Sequence, residues 1–168
     1  DLNFYSINSK GKLIKFDEIT GKIIDSYEIK HEVIDNTPTS FSLVSNDFII
    51  GYRSGEIIRV DKEGNVKWAF FKDTLLNTPI KYYDNNLVIL YPEDIVILSS
   101  KNGDIIFEKK YRSSNIIQSS GGKIVNFFNL LFFILPNSEL AVIDTFLFEE
   151  NLSKLDDLDI KNKLNNLD

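Results

Sequence analysis

The fold is decided by residues 12–29, which read KLIKFDEITGKIIDSYEI. This stretch opens with an alternating apolar segment that ends in a carboxylate, passes through a glycine turn and closes with a second apolar segment. Two further copies follow, EIIRVDKEGNVKWAFF at residues 56–71 and DIVILSSKNGDIIFEKKY at residues 94–111. A fourth copy begins as ELAVID at residues 139–144 and then loses the pattern. The chain is therefore built from internal repeats.

A second motif recurs with nearly the same period. Asn-Thr-Pro occupies residues 36–38 and 77–79, which lie 41 residues apart, and Ser-Gly-Gly takes the corresponding place at residues 120–122. Proline suits the first residue of a strand, because it fixes φ and has no amide donor. A period of about 40 residues is typical of one four-stranded propeller blade. The carboxylate or hydroxyl anchors of the first motif are spaced by 44, 38 and 45 residues: Asp17, Asp61, Ser99 and Asp144.

The pattern predicts an all-β chain of about four blade-like repeats, each a four-stranded antiparallel sheet. Strands rich in Ile, Val, Phe and Tyr, separated by glycine turns, support this prediction. The predicted strands are 3–7, 12–17 and 22–29 in blade one, which lacks its first strand; 40–45, 48–53, 56–61 and 66–71 in blade two; 80–83, 87–91, 94–99 and 104–111 in blade three; and 123–128, 130–135 and 139–144 in blade four. The turn at Asn129 is short for a hairpin, so a wide bend or a bulge near Asn126 is expected.

Two segments need separate interpretation. The apolar run at residues 124–135, IVNFFNLLFFIL, has 12 residues, whereas a membrane-spanning helix needs about 20. We interpret it as two buried strands, with the aromatic side chains of Phe127, Phe128, Phe132 and Phe133 in the core. Residues 1–150 form the propeller part, and residues 151–168 form a polar, leucine-spaced tail. The leucine spacing indicates a short amphipathic helix, with a frayed tail as the alternative.

Composition narrows the classes of function. The chain has 168 residues, 43% of them hydrophobic and 26% charged, which is ordinary for a soluble domain with its own core. Its formal net charge of −6 repels phosphate backbones and argues against nucleic acid as a partner. The sequence contains no cysteine, which excludes disulfides, thiolate nucleophiles and cysteine metal sites.

The turn sequence KFDEITGK at residues 15–22 resembles the blade signature of the quinoprotein-like (PQQ-repeat) β-propellers, small-x-Asp-x-x-Thr-Gly-Lys-x-x-Trp. The resemblance covers roughly residues 1 to 144. It implies that the aspartate and threonine tie the turn between the third and fourth strands, and that the tryptophan packs between neighbouring blades. Matching positions are Asp17, Thr20, Gly21 and Lys22 in the first copy, Asp61, Gly64 and Trp68 in the second, and Gly103 in the third; Asp25 and Phe107 stand where the first and third copies would have tryptophan.

The degenerate signature places the chain closest to the non-enzymatic branch of that family, the outer-membrane assembly lipoproteins. This resemblance implies a protein-binding scaffold in the periplasm or at the outer membrane, with a β-barrel assembly protein as the partner and no cofactor. The family's wheel has eight blades. A chain with about four is therefore part of a longer protein, or it forms a homodimer that completes the propeller.

Catalysis finds little support in the sequence. A quinoprotein enzyme needs calcium ligands, a catalytic aspartate and planar groups that stack on the quinone, but the chain has one tryptophan, Trp68, and no cysteine. His31 is the only histidine, so no multi-histidine metal site or Ser-His-Asp triad can form, and we interpret it as a solvated loop residue. We predict that the chain is not an enzyme and holds no metal. The alternatives are a fragment of a quinone-dependent dehydrogenase and a self-assembling structural module.

Recognition loops are expected where one blade is joined to the next, because loops mounted on a rigid scaffold usually carry binding residues. These connections span residues 30–37, 71–77 and 111–120.

Overall fold

A computed structural model describes residues 3–110, 123–134 and 140–145, which form four antiparallel sheets. Each strand pairs only with its neighbours along the chain. We call the sheets blades one to four. Blade one contains β1 (Asn3–Ile7), β2 (Lys12–Asp17) and β3 (Ile23–Glu28), and blade two contains β4 (Pro38–Val44), β5 (Asp47–Tyr52), β6 (Glu56–Val60) and β7 (Val66–Phe71). Blade three contains β8 (Lys81–Tyr83), β9 (Asn86–Leu90), β10 (Asp94–Ser99) and β11 (Ile105–Lys110), and blade four contains β12 (Lys123–Phe127), β13 (Leu130–Ile134) and β14 (Leu140–Asp144).

The predicted all-β repeat of antiparallel blades is confirmed, with strand ends that differ from the prediction by at most two residues. The largest difference is at β4, which begins at Pro38 and not at residue 40. A shift of register between Pro38 and Ser40 explains the difference, because it lets the chain pair with β5 two residues earlier than expected.

A shift of register recurs at the same place in the outer hairpin of the first three blades. It lies between β2 and β3, between β6 and β7, and between β10 and β11. Such bulges bend a strand and increase its twist. In each of these blades, one residue of the last strand pairs with the third strand right next to the bulge. These residues are Asp25, Trp68 and Phe107, which are therefore structurally equivalent.

The core lies between the blades. Each blade has a leading face, which contacts the next blade along the chain, and a trailing face, which contacts the previous one. Alternate residues of a strand point to opposite faces, so a blade covered on both sides has continuously apolar strands. β5 is buried along its whole length for this reason. Three buried clusters result, centred on Phe48 and Ile58 between blades one and two, on Ile49 and Leu87 between blades two and three, and on Val88 and Leu131 between blades three and four.

Blade four differs from the sequence prediction in its first hairpin. Phe128 and Asn129 form a two-residue turn that pairs Phe127 with Leu130 in regular register, so the bend or bulge expected near Asn126 was wrong. The turn closes because Phe128 adopts a φ of 50°, a left-handed conformation that is uncommon outside glycine, asparagine and aspartate.

The apolar run that starts at residue 124 forms β12 and β13, as expected. Its phenylalanines are not all core residues, however. Phe133 is buried, but Phe127 and Phe128 are 61% and 79% exposed, so their predicted burial was wrong. Phe128 lies in the turn, and Phe127 lies on the leading face of blade four. No helix in the described part of the chain is long and apolar enough to span a membrane. The predicted tail helix and the connection at 111–120 lie outside the described residues.

Candidate functional site

The connections between strands fall at two ends of the blades, because antiparallel pairing returns every second connection to the same end. The turn end carries the two-residue hairpins and the signature turns. Among the described residues, the loop end carries the blade-to-blade connections, 29–37 and 72–80, and the turns between the second and third strands of blades one to three, at 8–11, 53–55 and 91–93.

At the turn end, the first signature turn is closed by one carboxylate. Asp17 Oδ1 accepts hydrogen bonds from the amides of Ile19 and Thr20, at 3.1 and 2.7 Å, and from Thr20 Oγ1 at 2.8 Å. The bonds from the Thr20 amide and hydroxyl hold the pKa of Asp17 below its ordinary value. Gly21 follows with a φ of 66°. The aspartate and the threonine thus act together inside a single turn.

Later copies close their turns with other partners. Asp61 Oδ1 accepts hydrogen bonds from the amides of Glu63 and Asn65, at 3.0 and 2.9 Å. Burial by itself raises the pKa of Asp61, but the bonds from Asn65 and Glu63 outweigh it and lower the pKa. Ser99 Oγ accepts from the Lys101 amide at 3.3 Å. Asp144 accepts from the side-chain amide of Asn129 at 2.8 Å.

The signature aspartates therefore bond within their own blades, and the fold does not bring them into one carboxylate cluster. Across the described residues, no group of three or more His, Asp or Glu side chains is arranged to hold a metal ion.

Trp68 joins blades two and three at the turn end. Its Nε1 donates to the Ser100 carbonyl at 3.1 Å, and the same oxygen accepts from Arg59 at 2.6 Å. The indole lies against the backbone of Gly103, where a Cβ would stand only 2.8 Å from Trp68 Cε3. Gly103 is therefore required as glycine by the ring beside it as well as by its φ of 79°.

A buried charge cluster supports the same junction. Asp47 is 5% exposed, and its Oδ2 accepts from Arg59 Nε at 2.7 Å and from Lys67 Nζ at 2.8 Å. Burial by itself raises the pKa of Asp47, but the bonds from Lys67 and Arg59 outweigh it and hold the pKa below its ordinary 3.8. Asp47 thereby fixes the arginine that reaches across to Ser100.

We expect Asp47→Asn to lower the free energy of unfolding at neutral pH by roughly 2 kcal/mol, because it removes the charge that Arg59 and Lys67 share. The folded pKa of Asp47 is depressed, so this contribution is complete above pH 3.8 and is lost as the pH falls through the folded pKa. Urea denaturation of the wild type and the variant at successive pH values should show the gap closing in acid. Asp73→Asn, at an exposed position, is the control. A gap that is independent of pH would contradict the assignment.

At the loop end, a contact between a basic side chain and a buried carboxylate recurs between successive blades. His31 Nε2 bonds to Oε1 of Glu56, which is 7% exposed, and Lys72 Nζ lies 2.9 Å from Oδ2 of Asp94, which is 5% exposed. His31 and Lys72 follow the last strand of one blade, 41 residues apart, whereas Glu56 and Asp94 begin the third strand of the next blade. The two pairs are therefore similar contacts between successive blades, and His31 is not the solvated loop residue that the sequence suggested.

A tyrosine lies beside each pair, at the end of the second strand. Burial, assisted by the Glu56 charge, raises the pKa of Tyr52 to about 12. Burial also raises the pKa of Tyr91, and Lys72 Nζ stands 5.8 Å from the centre of its ring. Burial by itself lowers the pKa of Lys72, but the hydrogen bonds to Glu108 and Asp94 outweigh it and raise the pKa. Both tyrosines thus remain neutral hydrogen-bonding groups at physiological pH.

A cleft opens beside the first of these pairs, between blades one and two. Its volume is about 420 Å³, and its walls come from the β1–β2 turn, the β3–β4 connection and the end of β5. The lining includes Lys10, His31, Glu32, Val33, Asn36 and Tyr52.

The connections also expose apolar side chains at equivalent positions. Ile34 is 81% exposed and Leu75 is 44% exposed, and each lies two residues before an Asn-Thr-Pro sequence. Large aliphatic side chains on polar loops are costly to leave in water. Ile34 and Leu75 thus recur on successive blades. Together with the cleft, they form what we call the loop-end surface.

Sequence reasoning identified the connections at 30–37 and 71–77 but missed Glu56, Asp94 and their partners. One feature of the sequence could have revealed them. When the two Asn-Thr-Pro sequences are aligned, 41 residues apart, His31 aligns with Lys72, which indicates a position that takes a basic side chain.

The structure has counterparts among solved proteins. It superposes on BamB from Moraxella catarrhalis with a TM-score of 0.66 and 13% identity, covering 85% of this chain and 43% of BamB. The computationally designed Ika4 protein gives a TM-score of 0.61 and 13% identity, covering 86% of both chains. The chain has a β-propeller fold. The designed Ika8 protein, at a TM-score of 0.63 and 13% identity, is covered over 41% of its length.

At these identities the likeness concerns the fold alone. The chain spans less than half the length of BamB and of Ika8. No protein-family model matches the sequence, and no curated protein matches it either.

Proposed function

We propose that this chain is a non-catalytic propeller scaffold that binds other proteins through its loop-end surface. We assign it to the periplasmic side of the outer membrane, in the assembly of β-barrel proteins. The resemblance of the signature turns to outer-membrane assembly lipoproteins and the likeness of the fold to BamB support this assignment.

The observation that carries the binding function is the pair of exposed aliphatic side chains, Ile34 and Leu75, on equivalent loops of successive blades. The centre of a protein interface is more apolar than its polar rim. The adjacent cleft gives this surface a concave part that a partner's side chain can enter. Because the loops are mounted on packed blades, the surface is preorganised and little conformational entropy is lost on binding.

The tryptophan supports a scaffold over a quinone enzyme. Trp68 is the single tryptophan in the sequence, and its ring and Nε1 are engaged with Gly103 and Ser100 between two blades. A quinone would need a free planar group on which to stack.

The test measures binding to the purified periplasmic part of a β-barrel assembly protein, immobilised on a sensor surface. We expect Ile34→Asp combined with Leu75→Asp to weaken binding at least about tenfold, because both changes place a charge in the apolar centre of the interface. The matched control is Ile19→Asp, at a residue that is 93% exposed at the turn end, and its affinity should equal that of the wild type. The proposal fails if the wild type does not bind, or if the double variant binds equally well.

A further inference from the structure

The junctions between blades follow one rule. A leading face always meets a trailing face, and the residues that meet occupy equivalent positions in each blade. In blade three, the leading face places Val88 opposite Ile97 and Leu90 opposite Ile95, and all four side chains are at most 4% exposed because blade four covers them.

The leading face of blade four has the same pattern of apolar pairs, but no described blade packs against it. Phe132 pairs with Val142 and Ile134 pairs with Leu140, at positions equivalent to the four buried residues of blade three. Ile134 and Leu140 are 47% and 39% exposed, and Val125 and Phe127 on the same face are 55% and 61% exposed. These side chains form one exposed apolar surface on blade four, and exposed apolar surfaces of this kind often mark an interaction site.

The trailing face of blade one has the complementary pattern. Phe4 pairs with Phe16, as Phe48 pairs with Val60 in blade two. Phe48 and Val60 are at most 2% exposed, whereas Phe4 is 61% exposed and Ile23, on the same face, is 63% exposed. Blade one therefore presents core positions to solvent on the side where a preceding blade would pack.

We propose that a second copy of this chain covers both faces, with blade four of each copy packed on blade one of the other. In a single chain, the described residues of both end faces are exposed at the same time. The faces have opposite polarity, leading and trailing, so a head-to-tail pair satisfies both at once through two identical junctions related by a two-fold axis. The chain covers 43% of BamB and 41% of Ika8, so two copies approach the length of either protein.

This pairing is separate from the proposed binding function. The junctions lie on the flat faces of the end blades, whereas the loop-end surface lies at one end of the strands and stays free. Either proposal can therefore fail without the other.

The test is the solution mass of the chain, by light scattering across a concentration series. We expect the wild type at twice 19.3 kDa. The leading-face variant Ile134→Glu with Leu140→Glu, and the trailing-face variant Phe4→Glu with Ile23→Glu, should each have the mass of one chain. The control Ile19→Glu, on the exposed β2–β3 turn, should remain a dimer. Circular dichroism confirms that each variant keeps its strands.

Mixing the two variants tests the polarity of the junction. Each variant retains the face that the other lost, so the mixture can form one intact junction and its mass should rise above that of either variant alone. A wild type that has the mass of one chain at every concentration would overturn the proposal. A trailing-face variant that still dimerises alone would also overturn it, because leading faces would then pair with each other.

Discussion

Replacing Gly55 by alanine is expected to lower the free energy of unfolding by about 4 kcal/mol. Gly55 has a φ of 92°, a conformation that an L-residue adopts only with strain. A Cβ there would stand 2.1 Å from the Lys72 carbonyl oxygen and 2.2 Å from that of Thr74. Both obstacles are backbone atoms, so a change of rotamer cannot relieve the clash and the β7–β8 connection must move.

The displacement would also affect the loop-end surface. The Gly55 carbonyl accepts hydrogen bonds from the Lys72 amide at 3.4 Å and from the Tyr91 hydroxyl at 3.1 Å. These contacts hold the connection that exposes Leu75.

Gly11→Ala is the matched control, because Gly11 has a φ of 75° but nothing lies within 4 Å of its Cβ position. It should cost about 1–2 kcal/mol, the strain alone. Urea denaturation followed by circular dichroism compares the two variants. Equal losses at Gly55 and Gly11 would show that the close approach of the connection does not matter.

Trp68→Ala is expected to lower the free energy of unfolding by about 3 kcal/mol, near the lower end for tryptophan because the side chain is only half-buried. The change removes the ring that packs between blades two and three, and it removes one of the two donors to the Ser100 carbonyl. Trp68→Phe should recover part of the loss, since it restores the ring without the donor.

A double-mutant cycle with Gly103 tests whether the ring itself is responsible. Gly103→Ala places a methyl group 2.8 Å from the Trp68 ring, so its cost in the wild type includes this clash. In the Trp68→Ala background only the strain of the left-handed conformation remains, and the cost should fall. If Gly103→Ala costs the same in both backgrounds, the contact between the two residues contributes nothing.

The blades could be predicted from the sequence because their signals are local. Alternating apolar residues, glycine turns and the Asn-Thr-Pro repeat each act within a few residues, and they recur with a common period. The hairpin at Phe128 was not predicted. Its left-handed residue is a phenylalanine and not one of the Asn, Asp or Gly residues that usually mark such a turn in a sequence.

The sequence predicted the loops of the candidate site but not the contacts between blades beside them. Loop positions follow from the repeats, and so the connections that expose Ile34 and Leu75 were anticipated. The contacts of Glu56 and Asp94 were not, because these residues begin strands and meet a basic residue from the preceding blade only after the blades pack. Which face of a terminal blade stays uncovered is likewise decided by the arrangement of sheets and not by any short stretch of sequence.

The pairing of each strand with its chain neighbours has a consequence for how the protein acquires its structure. Every sheet closes within about one repeat length, so no described strand pairs with a strand of another blade. Stability is then close to a sum of single-blade terms and nearest-neighbour junction terms, as in a linear array of coupled units. In a single chain, unfolding starts at the uncovered ends, and the strands β5 and β9 of the middle blades should retain protection from hydrogen exchange longest.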